Sequence, residues 1–131
     1  MNNINNIISE FDNGWIVGLI ETKGLFTRNT IKIKRETKKG VKFYRYVNPA
    51  LYIANTDVSA LEAARQILQM GKIIKYGQVF HLQIRRKDEL LKIVRFLQGK
   101  LKSRRRQQQF ELWRQMVLQW KSRAWGHGAA I

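Results

Sequence analysis

Three groups of residues in this chain are placed to do chemistry. Glu21 and Lys23 close an apolar stretch, WIVGLIETKGLF, over residues 15–26. A carboxylate can hold a hard divalent cation, whereas an ammonium attracts only anions. The second group alternates along extended segments. Arg28, Thr30, Lys32 and Lys34 oppose Ile31 and Ile33, and His81, Gln83 and Arg85 oppose Phe80, Leu82 and Ile84. Arginine and lysine bond phosphates or guanine edges, and glutamine can read adenine. The third group is the basic run of Lys100, Lys102, Arg104, Arg105 and Arg106, suited to clamping phosphates. The two histidines, His81 and His127, do not sit at metal-ligand spacing, and with no cysteine present no zinc site is expected.

Composition points the same way. Lys+Arg total 25 against 9 Asp+Glu, a formal net charge of +16 on 131 residues. Such an imbalance favours a polyanionic partner, with nucleic acid first. A membrane is not expected, because no apolar run approaches the roughly 18 residues of a spanning helix. The opening MNNINNIISEFDN lacks the basic start and long apolar run of a secretory signal, and the arginines of a mitochondrial presequence. Abundant asparagine, isoleucine and lysine suggest an AT-rich coding genome, hence a mitochondrion or other organelle. The length suits one domain, and 44% hydrophobic residues can form a core without disulfides.

The elements that must position these residues follow from periodicity. Asp12 is a candidate cap for a helix over 13–22, which Gly24 can end in a left-handed conformation. Strands are predicted over 25–37 and 41–55, joined by a turn at Lys38, Lys39 and Gly40, with Pro49 at a bulge or an edge. Thr56 or Asp57 caps a helix over 58–70 with Leu61, Ala64, Ile67 and Leu68 as its apolar stripe, closed by Gly71. A hairpin over 72–75 and 79–85 precedes a helix over 87–98, ended by Gly99. The last helix presents Phe110, Trp113, Val117 and Trp120. The expected fold is α+β, a single domain over 1–123 in the order αββαββαα with a short tail over 124–131. An antiparallel four-stranded sheet carries the helices on one face and leaves the other open.

Residues 16–24, IVGLIETKG, resemble the nine-residue signature helix of the LAGLIDADG homing endonucleases. Downstream segments resemble that family in order: PALYIANTD (49–57), Gly71-Lys72-Ile73, FHLQIRR (80–86), then Leu101 to Arg105 and Phe110 to Trp113. The resemblance implies a homodimer, or a related partner, packed through the signature helices. Trp15, Gly18 and Leu19 are the residues assigned to that contact. A glycine inside a helix costs about 1 kcal/mol relative to alanine, so Gly18 calls for a packing reason, against a partner helix or against its own sheet. The resemblance also implies a saddle-shaped open sheet face over a DNA major groove. Arg28, Thr30, Lys32, Lys34, His81, Gln83 and Arg85 occupy the corresponding positions.

In that family the acid at the end of the signature helix holds a catalytic metal, and here Lys23 stands in its place. Glu21 is the nearest acid and the one candidate to replace it, although two residues turn a helix by about 200°. The reading is a nucleic-acid-binding protein derived from a homing endonuclease and impaired in catalysis. Lys23 and the basic loop then act as phosphate contacts, and no cofactor is expected. Its ligand is intron or ribosomal RNA, or duplex DNA, with Tyr44, Tyr46, Tyr52 and Trp125 as candidate stacking residues for RNA. The partner over the signature helix is a second copy, a related subunit or a ribonucleoprotein. The alternative is an active, homodimeric, magnesium-dependent DNA endonuclease with Glu21 as the metal ligand.

Overall fold

Ser9 starts the first helix: its side chain accepts the Asp12 amide at 3.0 Å, so the cap falls earlier than the expected Asp12. The computed structural model describes residues 9–120 and 129–130. Trp125 and His127 lie outside the described residues. Helix α1 (Glu10–Lys23) runs into β1 (Gly24–Thr37) and β2 (Gly40–Asn55). Then come α2 (Val58–Leu68), β3 (Lys72–Tyr76), β4 (Val79–Ile84), α3 (Lys87–Leu97), α4 (Arg104–Gln119) and the two-residue β5 (Ala129–Ala130). No described helix is long and apolar enough to cross a membrane.

Gly24 ends α1 in an extended conformation, φ −78° and ψ 148°, not the expected left-handed one. The glycine is needed for close approach instead, since a Cβ there would lie 2.6 Å from the Ile20 carbonyl oxygen. Asp57 caps α2 through the Ser59 amide at 3.0 Å, and Gln69, not Gly71, takes the left-handed position after it. Ser103 caps α4 through the Arg106 amide at 3.2 Å.

The four long strands pair antiparallel in the order β1-β2-β4-β3, and β5 adds beside Tyr44 and Arg45 of β2. One core cluster binds the four helices to one face of this sheet. Ile16 and Ile20 enter from α1, Leu61 and Ala64 from α2, Ile93 and Leu97 from α3, and Phe110, Trp113 and Val117 from α4. They meet Leu51, Ile53, Leu82 and Ile84 of the sheet. Trp113 locks α4 down, its Nε1–H donating to Ala50 O at 2.9 Å and Thr27 O at 3.1 Å. Its ring joins those of Phe26 and Phe110, with centroids 5.1 to 6.2 Å apart.

The β1–β2 register is unbroken from Gly24 opposite Ile53 to Thr37 opposite Gly40. No bulge forms at Pro49, which faces Arg28 and is buried. Its missing N–H is tolerated because β4 pairs with β2 only from Leu51 onward, so Pro49 lies on a local edge. An unbroken register also fixes parity. Phe26 faces Leu51 and packs on α4, so even-numbered β1 residues share the helix side of the sheet.

Gly71 combines φ +91° with a tight fit: a Cβ would come within 2.8 Å of Leu82 Cδ1 and 3.0 Å of Ile84 Cγ1. Gly71→Ala is expected to destabilise the chain by about 2 kcal/mol. Urea unfolding with an unchanged m value checks this, and a loss below a few tenths would refute it.

Candidate nucleic-acid interface

Two helix ends meet at the centre of the site. The C-terminus of α1 leaves carbonyls without helical partners and the N-terminus of α4 leaves amides. Glu21 reaches from the first to the second: its carboxylate accepts the Ser103 amide at 2.6 Å and the Lys102 amide at 2.9 Å. The amides of Ser103 and Lys102 hold its pKa below the ordinary 4.5, with Arg106 adding a smaller favourable charge. Arg106 reaches back, donating from Nη2 to the carbonyls of Ile20, at 2.9 Å, and Gly24. Its Nη1 donates to Gln109 at 2.6 Å and its guanidinium lies 5.2 Å from the Phe26 ring centre. Burial pulls the Arg106 pKa down, partly countered by Glu21.

This reciprocal clamp bears on two sequence assignments. The Glu21 carboxylate, the candidate metal ligand, is engaged as the N-terminal anchor of α4. Arg106 is not a free phosphate contact, because it caps α1. The other members of the basic run behave as expected for solvent-facing cations. Lys102, Arg104 and Arg105 are exposed, and Lys100 lies 4.4 Å over the Phe96 ring. Lys23 is exposed at the last position of α1 and makes no hydrogen bond or ion pair with the described residues. Because Glu21 binds the Lys102 amide, Lys23 and the basic loop share one end of the molecule.

The open sheet face differs from the expected one. Parity places Arg28, Thr30, Lys32 and Lys34 on the helix side with Phe26, where they are exposed. The open side of β1 and β2 instead carries Asn29, Ile31, Ile33 and Arg35 beside Tyr44, Tyr46, Asn48 and Tyr52. His81, Gln83 and Arg85 do share this face, since Tyr52 pairs with Gln83. Gln83, however, is only 5% exposed and donates to the Tyr76 hydroxyl at 3.2 Å, so it is no free base reader. His81 sits between two rings, 6.1 Å from Tyr52 and 4.8 Å from Tyr76. With its amide oxygen turned toward Arg85, Asn29 accepts from Nε at 2.8 Å and Nη2 at 3.1 Å and donates to the Tyr52 hydroxyl.

Four residues of this face escaped sequence reasoning: Asn29, Arg35, Lys72 and Tyr76. The missing signal was Phe26, whose even number would have placed Arg28 on the core side once Phe26 was taken as core. All four tyrosines of the chain, Tyr44, Tyr46, Tyr52 and Tyr76, fall on the open face, and its strand positions hold no carboxylate.

On α1, Ile16 and Ile20 are buried against the chain's own core, and Trp15 and Leu19 are half-buried beside it. A Cβ at Gly14 or Gly18 would meet no atom within 4 Å. Gly18 therefore has no packing reason among the described residues. Phe11, Gly14, Trp15 and Gly18 line one helical face, with Phe11 81% exposed.

The sequence profile described as LAGLIDADG endonuclease matches residues 16–117. Among solved structures, the archaeal intron-encoded homing endonuclease I-Vdi141I, complexed with DNA, is 24% identical over 83% of this chain and 68% of that one, with a TM-score of 0.65. The homing endonuclease I-TnaI is 24% identical over 81% of this chain and 71% of that one, with a TM-score of 0.66. The meganuclease I-AabMI, bound to uncleaved DNA, is 24% identical over 81% of this chain but 35% of that one, with a TM-score of 0.63. No relative was found among curated proteins.

The clamp has a pH signature. A carboxylate whose folded pKa is depressed contributes stability above its unfolded value and loses it as pH falls through the folded one. Glu21→Gln is expected to cost about 1 kcal/mol at neutral pH, the scale of a lost helix cap. The gap to wild type should shrink as pH drops below 4.5 and through the lowered value. Thermal melts of both proteins across that range check it; a gap independent of pH would remove the charge from the explanation.

Proposed function

The chain belongs to the LAGLIDADG endonuclease family, and from that membership we propose that it binds nucleic acid without cleaving it. The observation that carries this reading is the chemistry at the C-terminal end of α1. A divalent cation needs oxygen donors. Lys23 presents an ammonium there, and the carboxylate of Glu21 is already engaged by the Lys102 and Ser103 amides. The end of this helix does not fit a metal ion, so no hydrolytic step is derived for it. What it offers is positive charge: Lys23, Lys102, Arg104 and Arg105 at one end of the molecule, each exposed.

Charge on the sheet supports a polyanion as the ligand. Lys32 stands directly opposite Arg45 on the helix side. Like charges across a strand pair are destabilising unless something neutralises them, and a phosphate backbone does so. The ligand is RNA, of an intron or a ribosome, or duplex DNA of the kind held by I-Vdi141I. Abundant asparagine, isoleucine and lysine support a mitochondrion or another organelle as its site.

The outer face of α1 supports a partner. Gly14 and Gly18 are four residues apart with open space above both, and Phe11 stands exposed beside them. Small residues at that spacing let a second helix approach closely. The partner is a second copy, a related subunit or a ribonucleoprotein. For a second copy, Gly18→Leu should turn a dimer into a monomer in sedimentation equilibrium while circular dichroism stays unchanged. A monomeric wild type at every concentration would leave that face to a different partner.

The function is tested by incubating the full chain with duplex DNA and with structured RNA, with and without magnesium. Binding is expected with no cleavage, and the affinity should fall by about a thousandfold between roughly 50 and 200 mM salt if six phosphates are neutralised. Magnesium-dependent cutting by the wild type would overturn the reading. Lys23→Asp is expected to introduce cutting of bound DNA. Retained binding without such cutting would show that more than one residue separates this chain from a nuclease.

A further inference from the structure

The open sheet face carries a continuous row of rings. Tyr52 on β2, His81 on β4 and Tyr76 beyond it on β3 follow one another with centroid separations of 6.1 and 4.8 Å. The row is held by its polar edges: Gln83 Nε2 donates to the Tyr76 hydroxyl at 3.2 Å, and Asn29 bonds the Tyr52 hydroxyl. Asn29 in turn ties to Arg85, and Lys72 faces Gln83 from β3, so cations stand on the same face as the row. Tyr76 is 52% exposed.

Resting on the nucleic-acid reading above, we propose that the Tyr52–His81–Tyr76 row is a stacking platform for unpaired nucleotides. A duplex presents only base edges in its grooves, and edges are read by hydrogen-bonding side chains. Beside the row, two side chains that could do so are already engaged. Gln83 is buried and bonded, and Asn29 is spent on Tyr52 and Arg85. The open face is rich in π surface, which only an unpaired base can meet with its own face. Arg85 and Lys72 supply charge for the backbone of the same strand. RNA loops and single-stranded DNA share this chemistry.

The experiment uses the full chain and three fluorescent probes of about ten nucleotides: oligouridine, oligothymidine and a self-complementary DNA duplex. Anisotropy titrations at two salt concentrations read affinity and salt slope. An unpaired probe should bind more tightly than the duplex. Tyr76→Ala and His81→Ala should each weaken it about tenfold, leaving duplex affinity and salt slope unchanged. Tyr76→Phe should retain stacking and affinity, separating the ring from the Gln83 bond. Tighter oligouridine assigns the platform to RNA, and tighter oligothymidine to single-stranded DNA. Equal or tighter duplex binding, or alanine variants that melt as wild type and bind as wild type, would overturn the platform while leaving nucleic-acid binding intact. No binding to any probe, or to longer duplex DNA and structured RNA, would overturn the functional reading itself.

Discussion

The structure depends on one exchange between helix ends. Glu21 gives the N-terminus of α4 a carboxylate, and Arg106, in the first turn of α4, gives the C-terminus of α1 a guanidinium. Each charge lies at the end of a helix dipole that favours it, and each satisfies backbone groups a helix end leaves open. The two contacts together hold the last helix against the first across more than 80 residues of chain. The clamp also bears on what Glu21 can do. Two of the roughly four lone-pair sites of its carboxylate are taken by the Lys102 and Ser103 amides, which makes it first the anchor of α4 and of the loop that carries the cations. Loop anchoring thus draws on the same oxygens that a cation would use.

Local rules made much of this legible. The boundaries of β1 and β2 follow from alternation and a turn glycine, the existence of α4 from an apolar stripe, and the sheet with helices on one face from their order. The signature helix is identifiable because its residue types are. Three things were not legible, for distinct reasons. The cap of α1 is Ser9 because two side chains, three residues apart, compete for one helix start, and sequence does not rank them. The partners of Glu21 lie 81 and 82 residues away, so no spacing announces them. The faces of β1 were inverted because alternation gives two sets without saying which is inside. The lysines drew attention to one set, but Phe26 belongs to the same set and decides the matter by packing on Phe110 and Trp113.

That inversion changes the chemistry of recognition. Arg28, Lys32 and Lys34 on the open face would have concentrated phosphate and base-edge contacts there. The observed face is tyrosine-rich, with its cations interspersed, while Arg28, Lys32 and Lys34 point to the other side of the ribbon. Positive charge is thus spread over both faces of β1–β2 and the α4 loop instead of lining one groove. A rigid duplex can touch only one such surface at a time. A folded, bending strand can follow several.

Selectivity then has two sources that scale differently. Phosphate contacts act on any nucleic acid and weaken steeply with salt. Stacking is nearly independent of salt and asks only that a base be free of its pair. At low salt the net charge of +16 dominates, and the chain should hold most polyanions. As ionic strength rises the phosphate term fades first, leaving the rings to decide among ligands. Discrimination should therefore sharpen with salt even as affinity falls. The one glutamine on the described open-face strands is buried and bonded to Tyr76. On the proposed platform an exposed shape, a loop or a splayed strand, would be favoured over a long sequence.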